Sequence, residues 1–323
     1  MIGLLAYLPF LIVALVVQWD DRDRRARYAA YVLFMLVDGV ALMVGGAALL
    51  VAFAGRHIEV PDLLFVGANW ATFGWVVLVT VVFSPLMLAR RVRQWCARWI
   101  PIDPDSAIHA IALALAILTT GLNLSQLPLI GGLEAIASSE MQVAFSDLLL
   151  TNLPIGVFAF VGVGLGVRRS ASEVWERLGV RALTWRQVLL VVGLTIVILA
   201  CYYGVDKVWH AVAPDNYEMM ESLGAVLYGG AIGVWQGIAL SLTAGFTEEL
   251  LFRGALQPRL GYLLTAVFFT LVHVQYGLTP AALEVFVAAL ILGWLRRRSG
   301  TGACILLHTL YNAASFILFP LLP

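Results

Sequence analysis

Residues 228–254 read "YGGAIGVWQGIALSLTAGFTEELLFRG": twenty residues without a charge (228–247), then Glu248, Glu249 and Arg253 within six. About 20 apolar residues are what a helix needs to cross a hydrocarbon core of ~30 Å. The stretch therefore reads as a membrane-crossing helix that carries two acids and an arginine at its end. Outward from it, similar apolar runs recur along all 323 residues.

The chain is 61% hydrophobic and 12% charged, whereas soluble domains are about one-quarter charged. Crossings are expected near 2–18, 28–54, 62–89, 107–125, 141–167, 187–205, 223–247, 260–276, 280–295 and 301–320, about ten in all. A transmembrane barrel would show alternating segments of about ten residues, and none occur. The expected fold class is all-α, a polytopic integral membrane helical bundle with an intramembrane polar site.

Net charge is zero, so nothing points to a nucleic-acid partner. The distribution of charge says more. Basic residues at 22–27, 90–98, 168–186, 253–259 and 296–298 account for 18 of the 20 Lys and Arg, and these are alternate loops. Positive-inside bias puts them in the cytoplasm, with both termini outside a cytoplasmic (inner) membrane. The opening stretch lacks a basic n-region and a small-residue cleavage site, so it reads as a retained helix. Cys96, Cys201 and Cys304 have neither metal nor disulfide spacing.

Residues 121–140 are rich in Gly, Ser and Pro without a basic side chain, and mark a boundary between N-terminal helices of unknown role (1–140) and a C-terminal group (141–323). Residues 168–187 and 206–222 read first as solvated connectors. The alternative is surface helices; in the first of them Glu173 and Arg177 are spaced to pair, with Trp175 and Trp185 as interfacial anchors.

Ionisable side chains within a membrane helix are costly and mark function by default. His273 and His308 fall inside expected spans, and Glu248 and Glu249 are the deepest acids; Asp38, Asp147 and Glu284 are nearer helix ends or isolated. Glu249 and Arg253 are i,i+4 and can pair on one face. Glu248 is turned away by about 100°, which makes it the carboxylate available for chemistry; the opposite assignment stays open. Counted from Arg259 and Arg298, Glu248, His273 and His308 lie 11, 14 and 10 residues in. These separations correspond to depths of roughly 16, 21 and 15 Å. His308 and Asn312 are also i,i+4.

A carboxylate and an imidazole sharing a water can deprotonate it for attack on a carbonyl. A second imidazole and an amide can stabilise the oxyanion. The same set could instead hold zinc through Glu248, His273 and His308, or serve only as a polar network specifying helix packing.

The segments "EELLFRGALQPRL" (248–260), "LTAVFFTLVH" (264–273) and "LLHTLYN" (306–312) resemble the CPBP family of CAAX-prenyl-protease-like and bacteriocin-processing membrane endopeptidases. The family pattern is E-E-x-x-x-R, F-x-x-x-H and H-x-x-x-N, carried here by Glu248, Glu249 and Arg253, by Phe269 and His273, and by His308 and Asn312. The resemblance covers about 246–315. It implies that Glu248 with His273 activates water, that His308 with Asn312 stabilises the oxyanion, and that Glu249 and Arg253 support the site. Family members are described both as metalloproteases and as metal-independent glutamate proteases. Some relatives carry a polar residue where this chain has Gly277, which removes any contribution from such a side chain.

The expected function is an intramembrane endopeptidase, acting in the lipid bilayer on a hydrophobic or lipidated peptide or protein, or at a C-terminal signal. A proton-relay transporter or channel is the rival, since 228–245 holds enough glycine for a broken helix. A non-catalytic membrane scaffold is the third reading. H-E-x-x-H, G-x-S-G and G-x-G-D motifs are all missing from the chain.

Overall fold

In hydrocarbon every backbone polar group must be paired within the protein, and a helix does this locally. The computed structural model describes residues 6–54, 69–127, 144–228 and 233–318, and shows helices without a β-strand among them. In chain order these are α1 (Leu8–Val16), α2 (Arg24–Ala54), α3 (Trp70–Phe83), α4 (Arg90–Cys96), α5 (Ala107–Leu124), α6 (Phe145–Gly162) and α7 (Ala171–Leu178). Then follow α8 (Trp185–Val212), α9 (Pro214–Tyr228), α10 (Val234–Glu249), α11 (Gln257–Leu260), α12 (Tyr262–Leu271), α13 (Pro280–Ser299) and α14 (Thr301–Leu318).

Among the described residues six helical segments are long and apolar enough to cross a membrane: α2, α3 with its 3-10 continuation Ser84–Leu88, α5, α6, α8 and α14. The chain is an all-α, multi-pass membrane protein. Four expected crossings take other forms. The first is α1 plus a short 3-10 turn, its leading residues lying outside those described. The crossing at 223–247 is divided between α9 and α10. α12 stops after ten residues, and the last turn of α13 carries Arg296, Arg297 and Arg298.

The described residues group into two compact units. One lies within Leu8–Met141 together with Leu271–Gly277; the other lies within Met1–Tyr7, Gln142–Thr270 and Leu278–Pro323. In the first, α2 and α3 meet through glycines: a Cβ on Gly74 would lie 2.8 Å from the Gly45 carbonyl oxygen. Asp38, expected to be near a helix end or isolated, is buried in the middle of α2 and accepts a 2.6 Å hydrogen bond from Ser84 Oγ. That partner is 46 residues away, so only folding reveals it.

The second unit is built on α10 against α14. Gly237, Ser241, Gly245 and Glu249 are spaced by four and form one buried stripe along α10. Small side chains let two backbones approach closely, which is how helices associate without water between them. A Cβ on Gly245 would lie 2.6 Å from Thr309 Oγ1, 3.0 Å from Thr309 N and 3.2 Å from Ile305 O. Two of those atoms are backbone and cannot rotate away. Gly245→Ala should therefore push α14 off α10 and cost about 1–3 kcal/mol, read as a lower unfolding midpoint in detergent; an unchanged midpoint would refute the close-approach account.

Residues 168–187 include α7, but the expected Glu173–Arg177 pair does not form. Glu173 accepts from Ser170 N and Oγ in a capping box, because a helix start leaves N–H groups unpaired. Arg177 turns to the backbone of the segment after α10. In 206–222, α8 and α9 nearly abut, tied by Trp209 Nε1 donating to Asn216 Oδ1 at 3.1 Å.

Candidate active site

α10 runs through Glu249, and the next seven residues, Leu250–Leu256, continue as a π-helix before α11. Such wide turns occur mostly as single-turn bulges inside α-helices and are frequent at functional sites. Pro258 has no N–H to donate to a carbonyl one turn back. Side chains from other elements supply the missing donors. Arg296 Nε donates to Arg253 O at 3.0 Å, and Arg177 Nη1 donates to Gly254 O at 3.0 Å. Gln257 Nε2 reaches out to Gly293 O at 2.8 Å, which ties the turn to α13.

At this junction three charged or polar groups are withdrawn from solvent together. Glu249, Arg253 and His308 are 0%, 1% and 3% exposed. Glu249 Oε1 is 2.9 Å from His308 Nδ1, and Glu249 Oε2 is 3.2 Å from Arg253 Nε. The i,i+4 pair expected from spacing is thus formed. It is held by charge attraction, since Glu249 Oε2 and Arg253 Nε are not aligned as a hydrogen bond. Arg253 Nη2 donates to Ala289 O at 3.3 Å.

Aromatic rings enclose the array. The Arg253 guanidinium lies 4.3 Å from the centre of the Phe269 ring, a cation–π contact that strengthens on desolvation. Phe252 meets Phe269 edge-on at 5.0 Å, and Phe269 meets the His308 ring at 6.1 Å. Tyr311 stacks on His308 at 5.0 Å and 8°. With Nδ1 engaged by Glu249, His308 has Nε2 left for chemistry. A neutral ring donating from Nδ1 presents a lone pair there; an imidazolium presents a proton.

Of the sequence-derived site residues, the structure joins Glu249, Arg253 and His308. Glu248 is the preceding residue on α10 and is half-buried, whereas Glu249 is fully buried. Asn312 is half-buried, one turn beyond His308 on α14. His273 was expected within a crossing at 260–276. It lies instead beyond the end of α12, at the start of the 3-10 turn Val274–Tyr276, in the unit with Leu8–Met141. The helix stops there and the chain turns at Gly277, whose φ of +56° suits glycine. The His273 ring stacks on Tyr276 at 6.2 Å and 7°.

Sequence reasoning missed Phe252, Tyr311, Arg177 and Arg296. Tyr311 was findable three residues after His308, and Pro258 signalled that outside donors were needed. Among the described residues no three His, Cys, Asp or Glu side chains are grouped as a metal ion requires.

Residues 230–314 match the family model for Rce1-like type II CAAX prenyl endopeptidases. The matched segment contains the π-turn and the Arg253–Glu249–His308 array, and it supports a membrane endopeptidase. No curated protein and no solved structure matches the chain.

Proposed function

We propose that this Rce1-like segment is the core of an intramembrane endopeptidase that hydrolyses a peptide bond in a hydrophobic or lipid-modified substrate. The observation that carries the reading is the buried Glu249–His308 contact inside the matched segment. In this reading Glu248 with His273 takes a proton from water as it adds to the scissile carbonyl. His308 Nε2 and the Asn312 amide donate to the oxyanion, where exclusion of water strengthens each bond. Glu249 holds the His308 ring in place, and Arg253 balances Glu249. The collapse of the tetrahedral intermediate expels the amine, which takes up the proton first removed from water.

Residues 141–323 would form the protease core and 1–140 a separate helical region. The basic loops would face the cytoplasm, with the termini outside a cytoplasmic membrane.

Asn312→Ala is the test. Losing one oxyanion donor costs about a hundred- to a thousand-fold in turnover, with little change in substrate binding. Purified variant and wild type are compared on a hydrophobic peptide library, with and without chelator, and turnover is normalised to the folded fraction. Near-normal turnover removes Asn312 from the site, and no cleavage by the wild type removes the endopeptidase reading.

A further inference from the structure

Four arginines from different elements of the second unit converge beside the π-turn. Arg177 ends α7, Arg181 follows it, Arg259 lies on α11 and Arg296 is in the last turn of α13. Arg177 and Arg296 bond the adjacent carbonyls of Gly254 and Arg253. A Cβ on Gly179, two residues from both Arg177 and Arg181, would lie 2.4 Å from Arg296 Nη2. Gly179, with φ +73°, is where the chain leaves α7 and lets that guanidinium in.

None of the four pairs with a carboxylate among the described residues. Burial first, then Arg259, Arg169 and Arg296, push the Arg177 pKa down to about 10. Burial and Arg181 likewise lower that of Arg296. Arg181 and Arg259 are exposed, so the positive charge opens outward. Like charges held this close repel one another, and a bound anion relieves the repulsion.

The neighbours identify the level at which that anion arrives. Trp185 is exposed with Arg186 against its ring, and Trp294 is exposed with Arg298 against its own. Exposed tryptophan with arginine is the signature of the headgroup layer. An anion at that level is a lipid phosphate, which guanidinium groups grip through two parallel hydrogen bonds.

We infer that Arg177, Arg181, Arg259 and Arg296 form a cradle for the phosphate of an anionic phospholipid. Its occupant bridges α7, α11 and α13 beside the turn that carries Glu249 and Arg253. Lipid capture here is independent of peptide hydrolysis, and each can be lost without the other.

The test uses the full chain in a neutral detergent, titrated with phosphatidylglycerol or with phosphatidylcholine of the same acyl length, and bound lipid is counted by native mass spectrometry. Arg181→Gln/Arg259→Gln removes the two exposed members and spares the two that brace the turn. Each arginine near an anionic headgroup contributes about fivefold, so the double variant should bind phosphatidylglycerol about 25-fold more weakly, with phosphatidylcholine unaffected. Arg24→Gln/Arg25→Gln, in the other unit's exposed basic stretch, is the control of equal charge and should change little. Unaltered phosphatidylglycerol binding in the first variant, an equal loss in the control, or displacement of the lipid by inorganic phosphate at matched ionic strength overturns the inference. If the double variant unfolds, Arg259→Gln alone should show the fivefold loss, and its absence is equally decisive.

Discussion

Glu248→Gln is expected to abolish detectable peptide hydrolysis and to leave the unfolding midpoint close to that of the wild type. A positioned general base contributes about 10²–10⁴-fold, and glutamine keeps the size of the side chain without the basic carboxylate. Glu248 precedes the charged array and is half-buried, whereas Glu249 is fully enclosed and contacts both Arg253 and His308. Turnover and thermal unfolding are measured on the same purified sample. A variant that keeps its turnover assigns the base elsewhere, and one that loses fold and turnover together makes Glu248 a structural residue.

Glu249→Ala should fail in the other sense, losing stability first. It strips the counter-charge from Arg253, which is 1% exposed, and the Nδ1 partner from His308, which is 3% exposed. Breaking a buried ion pair by deleting one member costs about 3–5 kcal/mol, a large part of the 5–15 kcal/mol that holds a typical domain. Glu249→Gln should recover part of the loss, since an amide oxygen can still accept from the histidine while Arg253 goes unbalanced. The ordering alanine, glutamine, wild type in unfolding midpoint is the expected result. Equal midpoints for Glu248→Gln and Glu249→Ala would sink the division of roles between the two acids.

The pairing of Glu249 with Arg253 was legible because it is local. Four residues along a helix bring two side chains to one face, and the widened turn does not undo this. The contact of Glu249 with His308 spans 59 residues and was not legible, although counting residues from the basic rims put the two helices at a similar level. Spacing also misplaced Arg177. An i,i+4 acid was the nearest candidate partner, yet the capping demand of Ser170 took Glu173, and the unpaired carbonyl of Gly254 took Arg177.

The sequence by itself determined the helical membrane class, the identity of the charged residues near Glu248, and the local pairing along α10. Hydrophobicity and helical period are properties of consecutive residues, so no fold is needed to read them. Tertiary structure alone decided which partner each buried group received. It set α14 close enough along Gly237, Ser241 and Gly245 for His308 to meet Glu249. It also brought Arg177 and Arg296 to the π-turn. The carbonyl left unpaired by Pro258 is a local feature, but which donors reach it, and how closely two backbones approach, are fixed only once distant segments are packed together.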